Sequence, residues 1–241
     1  MLWYKAWLET RLRFLICVTG MTVLCVYRAI RMHTRLTPPV TLAYYHSALH
    51  YVATQLALYS VVAINFTSMG GLLREKAVGA ASFTLALPFS RTRIAIVRIA
   101  VGFTQAMLLI AMPLAVVLAI GAIFGDSEKM LSAEQTLLHF AYMASGGLVY
   151  YALAFFASCV VEGEYVAPIL SFGAAIAIDS ALQDPGVRSW DPLNFMMGGH
   201  SYYARTGLLT GPLPGMRIGA YVALSIVLVL VSVRAIQVRE F

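Results

Sequence analysis

The chain has 241 residues, 60% of them hydrophobic and only 12% charged, with a mean hydropathy of +0.79 and a formal net charge of +6. A soluble domain carries about 25% charged residues, so this chain has too few charges to coat a water-soluble globule. Its basic residues are scattered in short loops between apolar runs, which fits anionic lipid and orientation signals and argues against nucleic acid as a partner.

Residues 2–14 predict an amphipathic helix lying in the membrane interface. Lys5, Glu9 and Arg13 recur at i, i+4 and i+8 as one charged stripe, with Trp3, Trp7 and Phe14 on the opposite side. Trp3 and Trp7 then act as interfacial anchors in lipid. The same residues also fit the start of one long first span. Charges recur through Arg13 with no small-residue cleavage site after them, so a cleavable signal peptide is not expected.

Six spans are predicted, at about 13–30, 51–73, 96–124, 137–161, 165–182 and 216–235, each near the roughly 20 residues needed to cross hydrocarbon. The third holds Pro113, a predicted kink and a candidate in a pathway or gate. Repeats, low-complexity tracts and soluble domains are absent from the sequence. The fold class is an all-α integral membrane protein, one transmembrane domain over 1–241. Cys17, Cys25 and Cys159 lie inside apolar runs without motif spacing and read as small core residues. With six spans, the side holding both termini carries ten Lys or Arg against seven opposite, which places both termini in the cytoplasm.

The segment from Gly70 to Arg91 stands apart. Arg74-Glu75-Lys76 ends the second span, a short helix of small residues follows, and Pro88 stops it; Arg91, Arg93 and Arg98 then flank the third span. A short helix bracketed by charges and held between two long helices suits docking to a cytoplasmic protein. An ordinary positive-inside loop has the same composition.

This stretch resembles the cytoplasmic loop of ABC-2-type transporter permeases, with Arg74, Glu75, Lys76, Gly79, Ala80, Leu85, Pro88 and Arg91 at the pattern's positions. Val78 and Ala80 stand where that pattern usually has an acidic residue and a threonine. The resemblance covers the whole layout: N-terminal interfacial helix, six spans, and a short basic tail ending Arg239-Glu240-Phe241. It implies a transmembrane permease subunit that exports a hydrophobic or amphipathic cargo from a bacterial cytoplasmic membrane. It also implies partners: ATP-binding cassette subunits seated on Arg74, Glu75, Lys76, Gly79, Pro88 and Arg91, a second permease subunit identical or paralogous, lipid, and an extracytoplasmic accessory protein. The chain has no G-x-x-x-x-G-K-[ST] phosphate loop, so ATP and Mg belong to the partner and this chain needs no cofactor of its own. Binding-protein-dependent importers carry a similar loop, but there the proline lies about thirteen residues beyond the glycine; Pro88 lies nine beyond Gly79.

Asp179 is the one acidic residue well inside a predicted span and a candidate in the pathway; its place near the outer end also lets it reach water. The outer segment 184–215 is rich in Gly and Pro and holds Trp190, Met196, Met197, His200, Tyr202 and Tyr203. A gate with His200, an interfacial aromatic belt and a soft-metal site all fit that composition. No carboxylate or cysteine near His46 and His50 completes a metal site, and none is expected. The competing classes are a membrane-embedded enzyme and a non-catalytic anchor or signalling subunit. His139 and Glu162 lie at opposite ends of one span, so the sequence offers no catalytic constellation.

Overall fold

The computed structural model describes residues 2–35, 42–68, 90–124, 132–161, 166–199, 201–203 and 205–238. They form helices α1 (Leu2–Arg35), α2 (Leu42–Thr67), α3 (Arg91–Phe124), α4 (Ala133–Val160) and α5 (Val166–Ala181). A 3-10 turn (Arg188–Trp190), short helix α6 (Pro192–Met196), hairpin β1 (Tyr202–Tyr203) with β2 (Leu208–Leu209), and α7 (Gly215–Val238) follow. Among the described residues, α1 to α4 and α7 are the five helices long and apolar enough to cross a membrane, which agrees with a multi-pass membrane protein. The segment Arg74–Pro88, together with Glu162 and His200, lies outside the described residues.

Two expectations change. The separate interfacial helix over 2–14 is the first part of a single 34-residue helix. No proline precedes Pro38 and the only glycine before it is Gly20, so nothing stops propagation from Trp3 into the apolar run. At about 1.5 Å per residue such a helix is roughly 51 Å long, well beyond a hydrocarbon core of about 30 Å. The fifth expected span is a helix of 16 residues, about 24 Å by the same rise, and falls short of that core. The described residues are mostly helical, as the all-α class expects; the two-residue strands β1 and β2 pair antiparallel as Tyr202↔Leu209 and Tyr203↔Leu208. The turn between them brings Gly207 to a φ of 69°, which glycine adopts without a Cβ clash.

α4 is the centre of the bundle. Some 72% of its apolar window is buried, against 17% for α7 at the periphery. Phe14, Val18, Met21 and Cys25 of α1 form a buried stripe at helical spacing, and it meets Leu56, Ile64, Leu109, Ile110, Met143 and Tyr150 in one core. The other face of α1 shows Leu12, Leu15, Ile16, Val23 and Leu24, an apolar surface suited to lipid and not to water. Pro113 is fully buried, and α3 continues through it without a break. Proline has no amide hydrogen, so the Leu109 carbonyl has no helical donor at that point.

Candidate functional site

The two helices that lead into and out of residues 69–89 end in polar contacts, unlike the apolar bundle behind them. In the last turn of α2, Asn65 is buried; its amide donates to the Val61 carbonyl at 2.7 Å and its oxygen accepts from Ser171 of α5. The Ser68 hydroxyl then closes the turn on the Asn65 carbonyl at 3.0 Å. At the far side, Ser90 caps α3 by accepting the Arg93 amide at 3.3 Å, with Arg91 opening the helix. Thr92 accepts from Gln237 of α7 at 3.0 Å.

One to four turns further, α3 is tied to α1 and α4. Arg98 Nη2 donates to Glu9 Oε2 at 3.2 Å, with the side chains 10% and 25% exposed, and Lys5 approaches the same carboxylate at 3.7 Å. Gln105 donates to the Thr10 hydroxyl at 2.7 Å, and Tyr151 of α4 donates to the Ile99 carbonyl at 2.9 Å. Gly102 makes that approach possible: a Cβ there would sit 2.6 Å from the Tyr151 oxygen. Glu9, Thr10, Arg98, Gly102 and Tyr151, with Thr67 and Ser68, line a cleft of about 360 Å³ including its open mouth. The charged stripe of α1 is therefore engaged with α3: Glu9 reaches inward. Trp7 packs on the core with its ring 5.6 Å from Phe14, and Trp3 stands 57% exposed.

At the opposite end of α2 and α4 the hairpin is held by side chains. Gln135 grips the Leu209 backbone with both ends of its amide, donating to the carbonyl at 2.9 Å and accepting the amide at 3.1 Å. His46 meets the Thr206 carbonyl at 3.2 Å, and His50 stacks on Tyr202 with ring centres 3.9 Å apart. His139 Nδ1 lies 2.7 Å from the Gln135 carbonyl, and its Nε2 lies 3.4 Å from His50 Nδ1. A carbonyl only accepts, so His139 carries its hydrogen on Nδ1, and His50 Nδ1 donates to the His139 Nε2 lone pair. Gln135→Ala leaves the Leu209 amide and carbonyl without these partners. The expected cost is about 1–3 kcal/mol, read as a lower unfolding midpoint and faster proteolysis within 201–210.

Below the hairpin, α6 rests on α4 at Gly146, where a Cβ would lie 2.7 Å from the Pro192 carbonyl oxygen. Asp191 caps α6, and Asp179 is half-buried near the end of α5. Neither Arg205 nor Arg217 forms an ion pair with Asp179 among the described residues; Arg217 lies over the Trp190 ring at 5.9 Å. No group of three or more His, Cys, Asp or Glu is placed to hold a metal among the described residues.

Sequence reasoning found Arg98 as a flanking charge and Glu9 as part of a stripe, but not their meeting across 89 positions. It missed Gln135, Asp191 and Tyr151. A Ser, Thr, Asp or Asn immediately before the first helical residue, with proline at that first position, is a capping signal, and Asp191-Pro192 carries it; nothing local marks Gln135 or Tyr151. No family model, curated protein or solved structure matches the chain.

Proposed function

We propose that this chain is the membrane permease subunit of an ATP-driven transporter, with a separate ATP-binding cassette subunit docking on the segment around residues 74–91. One observation carries the reading. α2 and α3, which bracket that segment, are bound at their ends to α1, α4, α5 and α7 through Glu9–Arg98, Asn65–Ser171, Thr92–Gln237 and Tyr151–Ile99. A displacement of the bracketed segment is passed to most of the bundle as a rigid-body shift, which is how differential binding by an ATPase selects one helix arrangement.

A second permease subunit completes the pathway, and the cargo is hydrophobic or amphipathic, in keeping with the apolar helices. Both termini lie in the cytoplasm, and the membrane is a bacterial cytoplasmic one. The test is co-purification of the full chain with the products of its neighbouring genes. An ATP-binding subunit is expected in the complex, and its absence defeats the proposal. Within that complex, Glu75→Ala and Gly79→Leu are expected to weaken association of the ATPase about tenfold or more, the loss typical of an anchoring contact. Unchanged association and unchanged stimulated ATPase activity would remove the loop from the mechanism.

A further inference from the structure

A groove between α1 and α2 sets an arginine over an apolar floor. Leu24 and Arg28 of α1 line it with Tyr51, Gln55, Leu56 and Tyr59 of α2, around a space of about 310 Å³ including its open mouth. Arg28 is exposed and, among the described residues, forms no ion pair. Tyr51, Gln55 and Tyr59 recur at i, i+4 and i+8 and so stand in one row along α2. Leu56 in the floor is 1% exposed, while Leu24 at the rim is 43% exposed.

The two helices supply no counter-charge here. No Asp or Glu occurs between Glu9 and Glu75, a stretch that holds Arg28, Arg31 and Arg35. Arg31 turns to its own helix, donating to the Tyr27 hydroxyl at 3.4 Å with its guanidinium 5.9 Å from the ring centre. Arg28, one turn earlier, is the guanidinium at the groove.

Depth in the bilayer is an independent observation. Between Arg13 and Arg28 the chain has no charged residue, and those 14 residues, 14–27, cover about 21 Å at the helical rise. A hydrocarbon core is about 30 Å thick, so the two arginines cannot both stand clear of it. Arg13 has Glu9 one turn away on the same helix; Arg28 has no acid along either helix. A guanidinium at the hydrocarbon edge snorkels toward headgroup phosphate and draws the bilayer surface to itself.

We propose that this groove binds one anionic phospholipid, with its phosphate on Arg28 and an acyl chain along Leu24 and Leu56. Guanidinium N–H groups meet phosphate oxygens in paired, charge-assisted bonds, and Tyr51 and Gln55 offer further donors beside the headgroup. The basic residues without nearby acids select a headgroup of net negative charge over a zwitterionic one. A small soluble anion would leave the apolar floor uncovered, which a lipid chain fills. The inference stands whether or not the chain is a transporter, because this chain alone forms the groove.

The test uses the full chain, purified without partner subunits in a neutral detergent. Native mass spectrometry counts the phospholipid retained. Titration with phosphatidylglycerol, phosphatidylcholine or inorganic phosphate then follows the unfolding midpoint. One retained phospholipid is expected, with phosphatidylglycerol raising the midpoint and binding more tightly than phosphatidylcholine. Arg28→Gln is expected to weaken phosphatidylglycerol binding about tenfold or more, the loss of a hydrogen bond to a charged group. Arg11→Gln, exposed toward the other end of the same helix, is expected to leave that binding unchanged. A wild type that retains no phospholipid, an Arg28→Gln variant that binds as the wild type does, or an equal loss in Arg11→Gln overturns the proposal. Equal affinity for phosphatidylcholine overturns the anionic headgroup, and a midpoint raised as much by inorganic phosphate overturns the lipid in favour of a simple anion site. Should Arg28→Gln fail to fold, Leu24→Trp fills the groove with every charge in place and must weaken phosphatidylglycerol binding likewise.

Discussion

Glu9→Arg is expected to destabilise the bundle by about 3 kcal/mol, the lower end of the cost of stranding one member of a buried ion pair. The lower end applies because the Glu9 side chain keeps 25% of its exposure while Arg98 keeps 10%. The new guanidinium faces both Arg98 and Lys5, which now share the Glu9 carboxylate at 3.2 and 3.7 Å. Two like charges replace two attractions, and the cleft beside Thr67 and Ser68 carries the consequence to the end of α2. The double exchange Glu9→Arg with Arg98→Glu restores opposite charges in the same place and is expected to recover most of the midpoint. Thermal unfolding in nanodiscs measures both. A single variant as stable as the wild type, or a double one as weak as the single, shows that the Glu9–Arg98 pair does not hold α1 to α3.

Gly146→Leu is the second large effect. A Cβ at this position would meet Met196 Cγ at 2.4 Å and the Pro192 carbonyl oxygen at 2.7 Å. The methionine side chain can turn away, but the carbonyl is backbone and moves only if α6 lifts off α4. Gly146→Ala is therefore expected to cost about 1–3 kcal/mol, the usual range for overpacking, and Leu more. Lifting α6 also separates the Tyr142–Phe195 and Phe195–Tyr221 rings, whose centres lie 4.9 and 5.0 Å apart. The unfolding midpoint and the rate of proteolysis within 184–215 report the change. Adding Met196→Ala to Gly146→Ala is expected to recover only part of the loss, because the Pro192 carbonyl stays where it was. Full recovery would show that the methionine, and not the backbone, sets the contact.

Hydropathy located the long helices well, because a run of apolar residues of that length has few other uses. Predicted spans at 137–161 and 216–235 correspond to Ala133–Val160 and Gly215–Val238. Periodicity placed Lys5, Glu9 and Arg13 on one stripe of a helix, and they are. Which way the stripe faces was not legible. An i, i+4 pattern gives the angle between residues on one helix and carries no information about what the helix packs against. In the folded chain Glu9 is turned to Arg98, and Phe14, expected on the opposite side, is buried in the core.

What this sequence determined by itself is its solvent and its helices. Sixty per cent hydrophobic residues in long runs need a bilayer's chemistry, and in hydrocarbon a backbone must satisfy its own hydrogen bonds, which a helix does locally. What only the tertiary structure decided is the set of polar meetings between elements: Glu9 with Arg98, Gln135 with Leu209, Tyr151 with Ile99 past Gly102. Each joins residues far apart in the chain, so its energy depends on how the helices are placed and not on any local run. In an apolar bundle such contacts are few, and each one therefore sets how one helix is positioned against the next.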